Sequence, residues 1–272
     1  MKNNLVIILI FCGFFLFNSA CKSEYEKIRV SGDTELLLKK AYEYYDKEEW
    51  LRSQNLFELV IGAYKGRPEA EKAYFYYAYT QYHLGKYILA SYYFKNFTNT
   101  FPNSQYREES DFMEGYAHYN LSPSYRLDQT YTKKAIEAFQ LFVNTYPESS
   151  RVEKCNNLIS EMRIKMEQKA YAEAELYYDL RQYQSATKSF ENLLRDFPDT
   201  NKGENVRFLM TKASYNLASN SVFTKQEERY STAYKNAMAF KKRYPDSSYK
   251  KEIDSIEKNS SKKLKIIQNV GH

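Results

Sequence analysis

Glycine and proline are scarce, 8 and 6 residues in a chain of 272, and that scarcity favours helices. The chain has only three cysteines. Two of them, Cys12 and Cys21, lie in the N-terminal segment and leave Cys155 as a single thiol, so no disulfide framework can form. Cys155 reads as a small buried hydrophobe on a helix. Charge of one sign is also missing: 40 basic and 34 acidic residues are spread along the chain for a net +6, which reads as a mixed solvated surface and gives no footprint for a nucleic-acid partner. His83, His118 and His272 are not spaced as a metal pair. There is no Gly-rich phosphate loop, nucleophile elbow or paired-cysteine motif. Carboxylates are plentiful, but abundance on helices without a pocket is no acid-base site. The expectation is a chain that is not an enzyme and holds no cofactor or metal.

The longest hydrophobic run is short. Lys2 precedes thirteen residues from Leu5 to Phe17, apolar but for Gly13, whereas a helix needs about 20 to span a bilayer. An export signal fits that length. Its end, Ser19-Ala20-Cys21, resembles the bacterial lipoprotein signal, which implies cleavage before Cys21, a diacylglycerol on its sulfur and an N-acyl chain. One acyl chain holds a protein marginally, while two or three make a stable membrane anchor. The expected organisation is a signal peptide at 1–20, a tether at 21–32, a helical-repeat region at 33–246 and a charged C-terminal helix and tail at 247–272.

What is abundant is tyrosine: 28 residues beside a single tryptophan, too many aromatics for a disordered chain. They fall into a repeat. "FTNTFPNS", "LFVNTYPESS", "LLRDFPDT" and "FKKRYPDSS" recur along the chain. Aligned on proline they give Ala90, Phe94, Phe97, Pro102; Ala135, Phe139, Phe142, Pro147; Ala186, Phe190, Leu193, Pro198; and Ala233, Ala237, Phe240, Pro245. Steps of four and three keep residues on one helix face, and the proline cannot continue that helix. Ser104, Ser149, Thr200 and Ser247 are placed to cap the next helix, and Ser150 with Glu153 forms a formal capping box. The unit from Pro68 to Pro102 has the tetratricopeptide period of 34 residues, with alanines at 78 and 90 where two helices must cross. A fainter first copy runs from Asp33 to Tyr64, and the fourth begins with a long helix from about Ser150 to Leu180. Five helix pairs and a terminal helix near Tyr249 to Ile267 predict an all-α tetratricopeptide-repeat α-solenoid.

The stretch "YAEAELYYDLRQYQSATKSFENLLRDFPDT" (171–200) resembles the corresponding region of the BamD family of outer-membrane assembly lipoproteins, as do "FPNSQY" (101–106) and the proline-containing insertion before Asp128. The similarity covers about Asp33 to Tyr244. It implies a lipid-anchored, periplasm-facing subunit of the machinery that folds β-barrels into the outer membrane, with a BamA-like barrel subunit and nascent outer-membrane proteins as partners. A pilotin-like or other secretion-system scaffold is the alternative on the same architecture. A glycan-uptake lipoprotein of the starch-binding type is disfavoured because that type is much longer.

A second stripe marks the first helix of each pair: Leu38, Tyr42, Tyr45; Phe75, Tyr79, Tyr82; Phe112, Tyr116, Tyr119. In the last two copies the middle place is charged, Tyr171, Glu175, Tyr178 and Phe208, Lys212, Tyr215, where Glu175 and Lys212 read as solvated charges. The N-terminal ladder suits an extended peptide with aromatic side chains. The same spacing equally describes rings packed against the next helix. The anchor makes the first test. Cys21→Ser is expected to give an unlipidated precursor or a mislocalised soluble protein, and mass spectrometry finding an unmodified Cys21 in the mature wild type would refute lipidation.

Overall fold

The computed structural model describes residues 23–270, so the signal segment, Cys21 and His272 lie outside the described residues. Those residues form twelve helices and no strand: α1 (Glu24–Arg29), α2 (Thr34–Asp46), α3 (Trp50–Val60), α4 (Glu69–His83), α5 (Tyr87–Thr100), α6 (Arg107–Leu121), α7 (Thr130–Thr145), α8 (Val152–Asp179), α9 (Tyr183–Asp196), α10 (Gly203–Ser219), α11 (Phe223–Arg243) and α12 (Lys250–Val270). Helices α2 to α11 are five consecutive pairs, and α12 follows them. The chain divides into two compact units, residues 1–122 with 131–152, and residues 123–130 with 153–272. Within each, sequence neighbours pack on one another, as α2 does on α3, α4 on α5, α9 on α10 and α11 on α12. Stacked hairpins of this kind are the architecture of an α-solenoid.

The repeating frame is the buried face of the second helix in each pair. Ala90, Phe94 and Phe97, Ala135, Phe139 and Phe142, Ala186, Phe190 and Leu193, and Ala233, Ala237 and Phe240 are all buried. Alanine at the crossing lets two backbones approach, and the bulky residues one and two turns on, Phe240 alone in the last copy, fill the space beside it. The partner helix sometimes needs less than alanine. A Cβ built on Gly115 of α6 would lie 2.9 Å from two ring carbons of Phe139.

In the last four pairs the second helix stops two residues before its proline. The intervening aromatic has left the helical region, with φ −124° at Phe101, −131° at Phe197 and −130° at Tyr244, as the residue before a proline must. Its N–H still donates back to Phe97, Leu193 and Phe240 respectively. The turns inside three hairpins are closed by a left-handed residue, Glu48, Gly85 and Arg181. In each the next N–H reaches back to the carbonyl of Tyr44, Gln81 or Tyr177, all at 2.9 Å, which satisfies an orphan carbonyl at the helix end. Glycine takes that conformation without strain, and at the other two positions the geometry is held against the side chain.

Ser104, Ser149, Thr200 and Ser247 do not sit at the helix caps. Each hydroxyl lies three residues before its helix and accepts the N–H two residues on, from Tyr106, Arg151, Lys202 and Tyr249 at 3.0 to 3.2 Å. The turn at 149 uses Ser149, so the Ser150–Glu153 box is not what starts α8. Where a tether was expected, Glu24–Arg29 is helical: Ser23 accepts the Glu26 N–H, Arg29 pairs with Glu26 at 2.9 Å, and Ile28 is buried in the cluster of Leu37, Leu56 and Phe57. No helix of the described residues is long and apolar enough to cross a membrane.

Two substitutions test the crossings. Ala186→Leu is expected to overpack a fully buried site and cost about 1 to 3 kcal/mol. Gly115→Ala is expected to lower the melting temperature even though alanine gains about 1 kcal/mol of helix propensity. Unchanged midpoints in thermal denaturation would count against this register.

Candidate peptide-binding surface

The first helices α2, α4 and α6 carry the aromatic ladder, and its rungs are not equivalent. Phe75 and Phe112 are buried, as is Leu38. They pack between helices, Phe75 on Phe94 and Phe97, Phe112 on Phe139 and Phe142, so they are not part of an open groove. The six tyrosines, Tyr42, Tyr45, Tyr79, Tyr82, Tyr116 and Tyr119, are half-buried. Their rings meet edge to face around Tyr42 and Tyr45 and stack around Tyr116. Tyr42 meets Phe57 and Tyr76 at 5.1 and 5.2 Å, Tyr45 meets Tyr76 at 4.7 Å, and Tyr82 lies 6.2 Å from Tyr116, which stacks on Tyr119. Such pairs contribute about 0.5–1.5 kcal/mol each beyond burial.

Burial raises the hydroxyl pKa of Tyr42, Tyr79 and Tyr82, and pushes Tyr45 up to about 12. These four rungs therefore stay neutral at physiological pH and offer rings and hydroxyls, with the Lys72 ammonium 4.8 Å over the Tyr42 ring. Tyr79 is the rung most tied to the fold. Its ring packs on Phe75 and Phe94, and its hydroxyl donates to Glu109, which also pairs with Arg151.

The spacing of the ladder did not reveal two further members. Trp50 and His83 stack at 4.0 Å with 9° between planes, and Tyr45 lies edge-on to both. The tryptophan is the chain's only one, and a histidine one position past a tyrosine rung was a readable signal.

A cover over the first rung was also missed. Tyr106 stacks on Phe75 at 4.4 Å, the Arg151 guanidinium lies 4.5 Å over Phe112, the Lys202 ammonium 4.3 Å over Tyr171, and Tyr249 stacks on Phe208 at 3.9 Å. These are the residues whose N–H binds the turn hydroxyl. That hydroxyl in turn donates to a carboxylate four residues before the ring, Ser104 to Glu71, Ser149 to Glu108 and Thr200 to Glu167, at 2.5 to 2.6 Å. Repeats of Glu-x-x-x-aromatic were present in the sequence to be found.

In the second unit the middle places differ as expected, but Lys212 is not a free solvated charge. It pairs with Glu252 at 2.8 Å and lies 5.1 Å over Phe208, and the bond to Glu252 raises its pKa. Glu175 is exposed and meets the Tyr171 hydroxyl at 3.2 Å. Cys155 is buried, as its helical position implied. Among the described residues no cluster of His, Cys, Asp and Glu could hold a metal.

A family model described as YfiO, outer membrane lipoprotein, matches residues 31–229, well over half of the chain. The chain belongs to that family. The match runs from before α2 into α11 and so contains the whole ladder. No curated protein matches the chain significantly. Among solved structures it is similar to the TPR2AB domain of yeast Sti1 in its complex with pHSP90, at 14% identity, 84% of this chain, 98% of that one and a TM-score of 0.39. It is also similar to a thermophilic tetratricopeptide protein of Thermus thermophilus, at 16% identity over 78% and 97% with a TM-score of 0.33.

His118, on the same helix as the third rung, gives a pH test. Its Nδ1 is buried without a hydrogen-bond partner, and burial together with Lys134 pushes its pKa down to about 4. Between the ordinary value of 6.5 and about 4, the unfolded chain binds a proton that the folded chain refuses, so stability falls as pH falls through that window. His118→Gln is expected to lose less thermal stability than wild type between pH 7 and pH 4.5. Parallel pH profiles for the two proteins would show that His118 takes no part in the acid response.

Proposed function

We propose that this chain is a non-catalytic, BamD-like subunit of the machinery that assembles β-barrels in the outer membrane. In this reading lipid on Cys21 anchors it to that membrane facing the periplasm, it holds a BamA-like barrel subunit, and it receives unfolded outer-membrane protein segments. The observation that carries the reading is the family match across the helix pairs. The tyrosine surface supports the substrate part. A strand about to enter a barrel exposes alternating apolar and aromatic side chains, and half-buried rings with hydroxyl edges give contact area at low entropic cost.

Recovery of partners from solubilised membranes tests the assembly role. A barrel assembly subunit is the expected partner, whereas a secretin would assign the chain to a secretion-system scaffold and a TonB-dependent transporter to glycan uptake. For the substrate surface Tyr82 and Tyr116 are better probes than Tyr79, whose ring and hydroxyl both serve the fold. Tyr82→Ala with Tyr116→Ala is expected to weaken binding of a C-terminal β-barrel peptide about tenfold or more, with Glu175→Ala near wild type. Titration is done on variants whose circular dichroism is unchanged. A folded double variant that binds normally removes the ladder from the site, and one that melts early returns the tyrosines to the packing of the hairpins.

A further inference from the structure

The last helix carries a charge asymmetry that its composition conceals. One face of α12 is buried through Ile253, Ile256, Ser260 and Ile267. All three of its acidic residues turn toward the neighbouring helices and are engaged there. Glu252 binds Lys212 at 2.8 Å, and Asp254 and Glu257 both bind Lys241 of α11, at 2.7 and 2.6 Å. Opposite the buried face stand Lys251, Lys258, Lys262 and Lys265, at steps of seven, four and three, all exposed. None of these four makes an ion pair with a described residue, and no acid follows Glu257 before Val270. Near the end of the helix Gln268 donates to Glu227 of α11 at 3.4 Å. Beside the stripe Ile266 is exposed.

We propose that this face of α12 rests on an anionic phospholipid surface. The rows of charge are lysine throughout. An ammonium on a flexible stem suits a diffuse layer of phosphates, whereas recognition of a particular carboxylate on a protein favours the planar fork of arginine. Lys258, Lys262 and Lys265 line one open hollow with Tyr234 and the engaged acids Asp254 and Glu257, and an exposed isoleucine at the edge of the helix adds apolar contact of the kind interfacial helices use. Each such lysine near an anionic membrane adds attraction that salt screens. The inference rests on the outer-membrane reading only in that the family places a membrane within reach.

The test uses the full-length chain recovered from cell membranes and placed on phosphatidylcholine vesicles, or on vesicles that also contain phosphatidylglycerol. Amine acylation is followed lysine by lysine with peptide mass spectrometry. Rates at Lys258, Lys262 and Lys265 are expected to fall about fivefold or more on the anionic vesicles and to recover in high salt, while exposed Lys133 of α7 keeps one rate throughout. Equal rates on the two vesicle types overturn the inference. So does protection seen only in native membranes, because that outcome assigns the face to an acidic protein. If the chain fractionates with the outer membrane and still shows unprotected lysines on anionic vesicles, the lipid-facing role falls and the assembly-subunit reading stands.

Discussion

Everything in this chain depends on the close crossing of two helices at an alanine. A hairpin of two amphipathic helices cannot bury its apolar faces alone, and Ala90, Ala135, Ala186 and Ala233 are each fully buried where the second helix meets its neighbours. Because the crossing residue is small, the rings beside it can be large. Phe94, Phe139 and Phe190 are fully buried at the next turn, and Phe240 nearly so two turns on. The repeat therefore keeps a volume rather than a residue: at Gly115 the partner helix yields even its Cβ to let Phe139 lie across it.

That crossing fixes distances within a pair, and a second device fixes how one pair hands on to the next. The proline ends the helix, the hydroxyl after it folds the chain into a tight turn, and the same hydroxyl donates to a glutamate on the first helix of the pair. The residue held by that turn then covers the ring four places beyond the glutamate. One short loop thus satisfies its own backbone, ties the end of a pair to its beginning and roofs an aromatic. Insertions elsewhere, such as the segment before α7 or the long α8, leave this closure untouched. It also accounts for the burial of Phe75 and Phe112, beside which the tyrosine rungs stay half-buried.

The hairpin frame was legible because it is written at two levels that agree, helical spacing of apolar residues and a proline at a constant offset. The pairs, the long α8 and the terminal helix follow from it. The partners of the turn hydroxyls were not legible, because Ser149 and Glu108 are 41 residues apart and become neighbours only once the hairpin exists. Lys212 shows the same difficulty, since a charge in a tyrosine stripe looks solvated until the next helix brings Glu252 beside it. The ladder's spacing was clear and its meaning was not: tyrosine is amphipathic, so one pattern describes a ring that packs and a ring that binds. The helix α1 escaped because six residues carry too little periodicity to stand out.

Both units use one turn device with two chemistries at the roof, a ring in Tyr106 and Tyr249 and a cation in Arg151 and Lys202. Tyr106 covers Phe75 with a neutral ring, and no compensating charge is needed there. Arg151 covers Phe112 with a cation, which Glu109 balances, and Glu109 in turn takes the Tyr79 hydroxyl. At that position the cation and its acid stand side by side, so the roof over Phe112 carries no net charge. In the second unit acids are spent in the same manner, on Lys212 and Lys241 inside the packing of α10, α11 and α12. Because every acid of α12 is engaged by Lys212 or Lys241, its exposed lysines have no ion pair among the described residues, so the pairs that close the packing of α10, α11 and α12 also leave that helix with a surplus of positive charge.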